Sequence, residues 1–133
     1  MLGIQGEEMP IKLMGVHHIM LTVGDIEIAK EFYESVLGLE ETDCPVNDGK
    51  RVWYKIGNQE LHVNLADNYQ AGNTHFAISI EPGKYDEYYE QVRSSGYKKI
   101  TKMHYFEEDG LHRFYLDDPF DNTIEVTDGQ INA

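Results

Sequence analysis

Four side chains of this 133-residue chain have the types and spacing to hold a metal ion: His18, His62, His75 and Glu125. Each lies in a short segment that alternates apolar and polar residues, the pattern of a half-buried strand. In V-H-H-I-M-L-T-V, residues 16–23, Ile19, Leu21 and Val23 fall on one side and His18, Met20 and Thr22 on the other. In T-H-F-A-I-S-I, residues 74–80, Phe76, Ile78 and Ile80 oppose His75, Ala77 and Ser79. His62 shares a face with Glu60 and Asn64, opposite Leu61, Val63 and Leu65. Glu125 shares a face with Thr123 and Thr127, opposite Ile124 and Val126. Three imidazoles and a carboxylate converging on one cleft suit a divalent transition metal such as Zn, Ni, Fe, Mn or Co. Arg51, Trp53, Arg113 and Tyr115 have the parity to line the same cleft and are the candidate substrate-binding residues.

Taken singly, a strand histidine or glutamate is usually a structural or surface residue. Recurrence in two copies gives the four their weight. E-F-Y-E-S-V at 31–36 matches E-Y-Y-E-Q-V at 87–92; R-V-W-Y at 51–54 echoes R-F-Y-L at 113–116; E-L-H-V at 60–63 echoes T-I-E-V at 123–126. The offset grows from 56 (Glu31 to Glu87) to 63 (Glu60 to Thr123), as a short loop insertion would produce.

The elements that must position these residues follow the same order twice. In the first copy a strand over 16–23 is followed by a helix over 25–37. There Ile28, Ala29, Phe32, Tyr33, Val36 and Leu37 keep a 3.6-residue period, Asp25 caps the start and Gly38 the end. Short strands are expected over 39–43, 51–56 and 59–65, with Asn47-Asp48-Gly49 and Gly57-Asn58 as turns. Residues 66–73 read as the linker. The second copy has strands over 74–80, 98–105, 112–116 and 122–127, and a helix over 85–95. The fold class is therefore α+β: two tandem βαβββ modules, 15–66 and 73–128, forming an open half-barrel sheet cleft. An arm (1–14) precedes them and a tail (129–133) follows. Neither copy of about 55 residues buries a good core alone, so the two should pack as a pair with both concave faces forming one cleft.

Composition narrows the partners. Twenty-four acidic against 11 basic residues give a net charge of −13. That balance disfavours nucleic acid and anionic membranes, both of which require clustered Lys and Arg. The single cysteine, Cys44, forms no internal disulfide, which suits a reducing cytoplasm, and nothing near it marks a nucleophile. No apolar run approaches the roughly 20 residues of a bilayer span, and the first residues lack the basic and apolar regions of a signal peptide. His17 has core-facing parity and is expected at the strand start, satisfied by backbone. His104 and His112 have no counterparts in the other copy and are expected at the surface or the cleft mouth. Asp117-Asp118 before Pro119 reads as turn chemistry.

H-H-I-M-L-T-V-G-D-I, E-F-Y-E-S-V-L-G-L, T-H-F-A-I-S-I and R-F-Y-L-D-D-P-F-D-N-T-I-E-V together resemble the glyoxalase / bleomycin resistance / extradiol dioxygenase superfamily, also called vicinal oxygen chelate, over about 15–128. The resemblance implies paired βαβββ modules around a divalent metal, usually in a homodimer. The metal there binds vicinal oxygens and stabilises a developing oxyanion. The family ligands fall on His18, His75 and Glu125, and the internal repeat supplies His62 as the fourth. Glyoxalase I proteins place a glutamate there that also serves as base; Glu60, two residues earlier on the same face, is the carboxylate a register slip would supply. Thr22 stands where bacterial glyoxalase I proteins tend to carry an arginine. The resemblance thus implies a metal-dependent lyase or isomerase acting on a small oxygenated substrate, with His62 or Glu125 moving the proton. Its other branches imply a drug-binding resistance protein or a ring-cleaving dioxygenase.

Overall fold

The computed structural model describes residues 10–70, 74–101 and 104–131, with the backbone alone at His104. Parts of the expected arm (1–9), linker (71–73), second-module strand over 98–105 (102–103) and tail (132–133) lie outside the described residues.

The strands are β1 (His18–Val23), β2 (Glu40–Thr42), β3 (Arg51–Ile56), β4 (Gln59–Leu65), β5 (His75–Ser79), β6 (His104–Phe106), β7 (Leu111–Asp117) and β8 (Thr123–Thr127). They form two four-stranded sheets, ordered β1-β4-β3-β2 and β5-β8-β7-β6. In each, the first strand runs parallel to the last and the rest are antiparallel. The two registers correspond: Trp53 pairs with His62 as Tyr115 pairs with Glu125, and Arg51 with Asn64 as Arg113 with Thr127. The duplication read from sequence is therefore a duplication of sheets.

Strand parity follows the apolar pattern. Leu21, Val23, Val52, Tyr54, Leu61, Val63, Phe114, Leu116, Ile124 and Val126 are buried and belong to one core spanning both modules. Burying each such side chain stabilises the fold by roughly 1.5–3 kcal/mol. Helix α1 (Ile26–Lys30) starts where Asp25 accepts the Ile28 N–H at 2.9 Å. The expected helix over 25–37 is not uniform. From Glu31 to Val36 it widens into a π-helical turn, with the Leu37 N–H bonded to the Phe32 carbonyl five residues back. The wider turn lets two consecutive aromatics, Phe32 and Tyr33, both enter the core. Helix α2 (Tyr85–Ser94) buries Tyr85 and Val92.

The modules are joined by side chains from distant parts of the chain. Phe32 meets Tyr97 with ring centroids 4.8 Å apart. The Tyr88 hydroxyl donates to the Leu37 carbonyl at 2.6 Å. Asn122 Nδ2 donates to the Thr22 carbonyl at 3.1 Å. Of the expected strand over 98–105, Ile100 bridges Leu116 with Lys99 and Thr101 bonded to Asp117 and Tyr115 on either side, residues 102–103 lie outside those described, and β6 follows. Tyr97 and Lys99 also reach the Asp117–Asp121 turn, where the Tyr97 hydroxyl donates to the Asp117 carbonyl and Lys99 pairs with Asp121.

Gly38 has φ of +79° and closes the first helix, with Leu39 N–H bonded to the Tyr33 carbonyl. A Cβ there meets no neighbour within 4 Å, so the cost of Gly38→Ala is backbone strain alone. Its expected loss is about 1 kcal/mol of stability, read as a lower urea midpoint with unchanged slope.

Candidate metal centre

Each sheet contributes one donor pair on its open face. In the first sheet His18 opens β1 and His62 lies in the middle of β4. His62 is 7% exposed and held on three sides. Trp53 stacks on one ring face at 3.7 Å and 4°, and His18 on the other at 4.1 Å and 14°. Its Nε2 lies 2.8 Å from Glu60 Oε1. That hydrogen bond is the main cause holding the Glu60 carboxyl below the usual carboxylate range. With Nε2 engaged, Nδ1 is the nitrogen His62 has left to offer.

His17 departs from expectation. Its carbonyl accepts the Glu60 N–H at 3.1 Å, but its ring is exposed and meets His18, Nδ1 to Nδ1, at 2.9 Å. One of the two rings must donate and the other accept.

In the second sheet His75 Nε2 lies 3.0 Å from Glu125 Oε1. The other carboxylate oxygen, Oε2, is 3.2 Å from Arg113 Nε. Arg113 also donates through its terminal nitrogen to Asp109 Oδ2 at 2.6 Å and lies over the Phe106 ring at 4.5 Å. Tyr115 stands edge-on to His75, centroids 6.1 Å apart. On the first sheet Arg51 has a looser contact, 3.4 Å to Asp48.

The structure thus brings together His18 with His62, and His75 with Glu125. It does not bring the two pairs to a common point within one chain: among the described residues, no three His, Cys, Asp or Glu side chains are placed to hold one ion. The sequence leaves open whether one chain or two build the cleft, and the described residues of one chain do not gather all four donors. The sheets do approach at their first strands. His18 and Glu60 share a cavity of about 210 Å³ with Phe76 and Ala77, and His75 shares one of about 230 Å³ with Met20 and Thr74. A larger cavity, about 490 Å³, lies by Met14, His17, Gly57 and Ile131 and touches none of the four donors.

The remaining candidates resolve structurally. His112 lies on the core-side parity of β7 and is clamped by Asp128, which takes both its backbone N–H at 2.8 Å and its ring Nδ1 at 2.9 Å. Asp117 accepts the Thr123 hydroxyl at 2.8 Å. Asp118 is fully buried and bonded four times, a turn function but a deeper one than the sequence suggested. Sequence reading also passed over Asp109. Its signal was an aspartate before glycine in a turn, four residues ahead of an arginine on the open face. No helix of the described residues is long and apolar enough to cross a membrane.

The donor chemistry fits a divalent transition metal. Imidazole nitrogen and carboxylate oxygen are its usual protein ligands, and in each pair the two side chains already touch, an exposed histidine against a largely covered partner. A model of the Glyoxalase/Bleomycin resistance protein/Dioxygenase superfamily matches residues 15–126. A Bacillus anthracis protein of the glyoxalase family is similar over 92% of this chain and 100% of its own, with 28% identity and a TM-score of 0.78. Lactoylglutathione lyase from Agrobacterium tumefaciens shares the fold at 23% identity, 87% and 94% coverage and a TM-score of 0.72. The fosfomycin resistance protein FosX of Mesorhizobium loti shares it at 20% identity, 90% and 96% coverage and a TM-score of 0.67. With its duplicated modules and a family match over residues 15–126, the chain belongs to the glyoxalase / bleomycin resistance protein / dioxygenase superfamily.

Proposed function

We propose that the protein is a metal-dependent enzyme of lyase or isomerase type acting on a small oxygenated substrate. His18, His62, His75 and Glu125 hold one divalent transition metal. The observation that carries this reading is the equivalence of the two donor pairs: each combines the first and last strand of its sheet, on the open face, at matching register. Because the pairs stay apart within one chain, two copies complete the site. The first sheet of one faces the second sheet of the other, giving two equivalent sites in a homodimer. The exposed apolar residues Ile11, Leu13, Met14 and Met20, beside and on β1, suit a covered surface.

The bound ion would supply Lewis-acid stabilisation of negative charge on substrate oxygens. The chain's own residues supply the rest. Trp53 and Tyr115 form aromatic walls beside the donors, and Arg51 or Arg113 meets negative charge on the substrate. His62 or Glu125, partly displaced from the ion when substrate binds, takes the proton, since either is a base once its lone pair is free.

Stripping the protein with chelator and titrating Zn(II), Ni(II), Co(II) and Mn(II) by calorimetry tests this. One ion per chain is expected for at least one of these metals. A protein that takes up none contradicts the reading.

A further inference from the structure

The internal repeat makes Arg51 and Arg113 equivalent: each opens the same face of its sheet, two residues before the aromatic that pairs with a candidate donor. Their surroundings have diverged. Arg113 is hydrogen-bonded to Asp109 at 2.6 Å and ion-paired to Glu125, whose Oε2 lies 3.2 Å from a buried Nε that makes no hydrogen bond, with its guanidinium over Phe106 and its side chain 15% exposed. Asp109 is itself anchored, accepting the Leu111 N–H at 3.1 Å. Hydrogen bonds thus run from the β6–β7 turn through Asp109 to Arg113, an ion pair carries on to Glu125, and a hydrogen bond joins Glu125 to His75. Arg51 is 38% exposed, and its contact to Asp48 is 3.4 Å long. Its neighbour across the ladder, Asn64, has a buried side-chain oxygen without a hydrogen-bond partner. The counterpart Thr127 is satisfied, donating to the His112 carbonyl and accepting the Gly129 N–H.

The reason for the divergence lies in the donor each arginine serves. On the second sheet the donor is a carboxylate, which a guanidinium can grip. On the first it is His62, which offers a guanidinium no acceptor charge and is held by Trp53 and Glu60 instead. From these contacts we infer that the two arginines have divided the work. Arg113 is a positioning residue that fixes the Glu125 carboxylate, and Arg51 is the cation that receives an anionic group of the substrate. This rests on the proposed metal site for the Arg113 half alone. It names the substrate class as an oxygenated small molecule carrying a carboxylate or phosphate-like group.

The sign of one effect separates positioning from charge. Removing a cation beside a metal-binding carboxylate should by itself raise affinity for the metal. Removing a residue that orients the carboxylate should lower it, by about tenfold or more. Calorimetry with Co(II) on wild type, Arg113→Met and Arg113→Lys is the test, with the visible Co(II) absorption recorded alongside. Arg113→Met is expected to bind Co(II) about tenfold or more weakly and with an altered spectrum. Arg113→Lys should not restore either, because an ammonium cannot span Asp109 and Glu125 as the fork does. Arg51→Met should match wild type in both. A rise in affinity, or full rescue by lysine, overturns the positioning role.

The Arg51 half is read on metal-free protein with inorganic phosphate, followed by backbone amide shifts. Phosphate should perturb the amides of Arg51 and Asn64, and Arg51→Met should weaken that binding about tenfold, while Arg113→Met leaves it unchanged. Equal loss in both variants, or perturbation elsewhere only, overturns it. Wild type refusing Co(II) would end the proposed metal site and the Arg113 role together, with the phosphate arm still deciding Arg51.

Discussion

Asp118→Ala is expected to cost about 3–5 kcal/mol of folding stability, a large part of the 5–15 kcal/mol that domains of this kind possess. Asp118 has no exposed surface. Its Oδ2 accepts from the Tyr33 hydroxyl at 2.7 Å and from Asn122 Nδ2 at 2.8 Å. Its Oδ1 accepts from the backbone N–H groups of Phe120 and Asn122 at 2.8 and 2.9 Å. Alanine takes this acceptor from all four donors, of which Asn122 Nδ2 keeps only the Thr22 carbonyl, and each buried orphan costs about 1–3 kcal/mol unless water reaches it. The network also spans the modules, because Tyr33 belongs to the first helix and Asn122 donates onward to Thr22 of β1. Burial, with the Asp118 carboxylate beside it, pushes the Tyr33 hydroxyl far above its ordinary value, so it stays a donor at every pH the fold survives. Tyr33→Phe removes one donor and keeps the ring, so its expected cost is smaller, about 1 kcal/mol. Urea unfolding of the three proteins gives the order wild type, Tyr33→Phe, Asp118→Ala. An Asp118→Ala midpoint equal to wild type would remove the carboxylate from its place as the joint between modules.

His75→Ala is expected to leave the fold intact and reduce metal affinity by more than about 100-fold. Loss of an outer-shell partner alone typically costs 10–100-fold, and a direct donor should cost more. The histidine side chain is 53% exposed, and its contacts are Glu125 at 3.0 Å and the edge of Tyr115. Little of the core depends on it, so thermal stability without metal should match wild type while the metal-induced rise in stability disappears. Retained metal uptake would show that the second sheet's pair is not a ligand pair.

Much of this architecture was legible because strand parity is a local signal. β3 and β4 fall at the residues where alternation begins and ends, and His62 and Glu125 lie on the face opposite the buried Leu61, Val63, Ile124 and Val126, as their parity assigned. The duplication was legible because chemistry recurs in it: Arg51 and Arg113, Trp53 and Tyr115, His62 and Glu125 occupy matching rungs. The π-helical turn at Glu31 to Val36 was not, since it arises from the need to bury Phe32 and Tyr33 against partners some 65 and 85 residues away, Tyr97 and Asp118. Around Ile100 the chain keeps its backbone bonds to β7, and the side-chain contacts that Tyr97 and Lys99 make with the turn after β7 are equally invisible to alternation. The stack of Trp53, His62 and His18 combines three strands, and alternation along one strand says nothing of rings meeting across them. Whether the two faces of one chain meet is a question of module packing, which parity leaves open. Here the pairs remain separate.

Mixing His18→Ala with His75→Ala protein, after reversible dissociation, tests the shared site most directly. Each variant alone lacks one donor in every site and should bind almost no Co(II). In a mixed dimer one site has lost both histidines and the other has lost neither. With random pairing about a quarter of the wild-type sites should return, with the wild-type Co(II) spectrum. A mixture that binds no more than the separate variants, beside a wild type that binds one ion per chain, would place all four donors in a single chain and contradict the assembly proposed here.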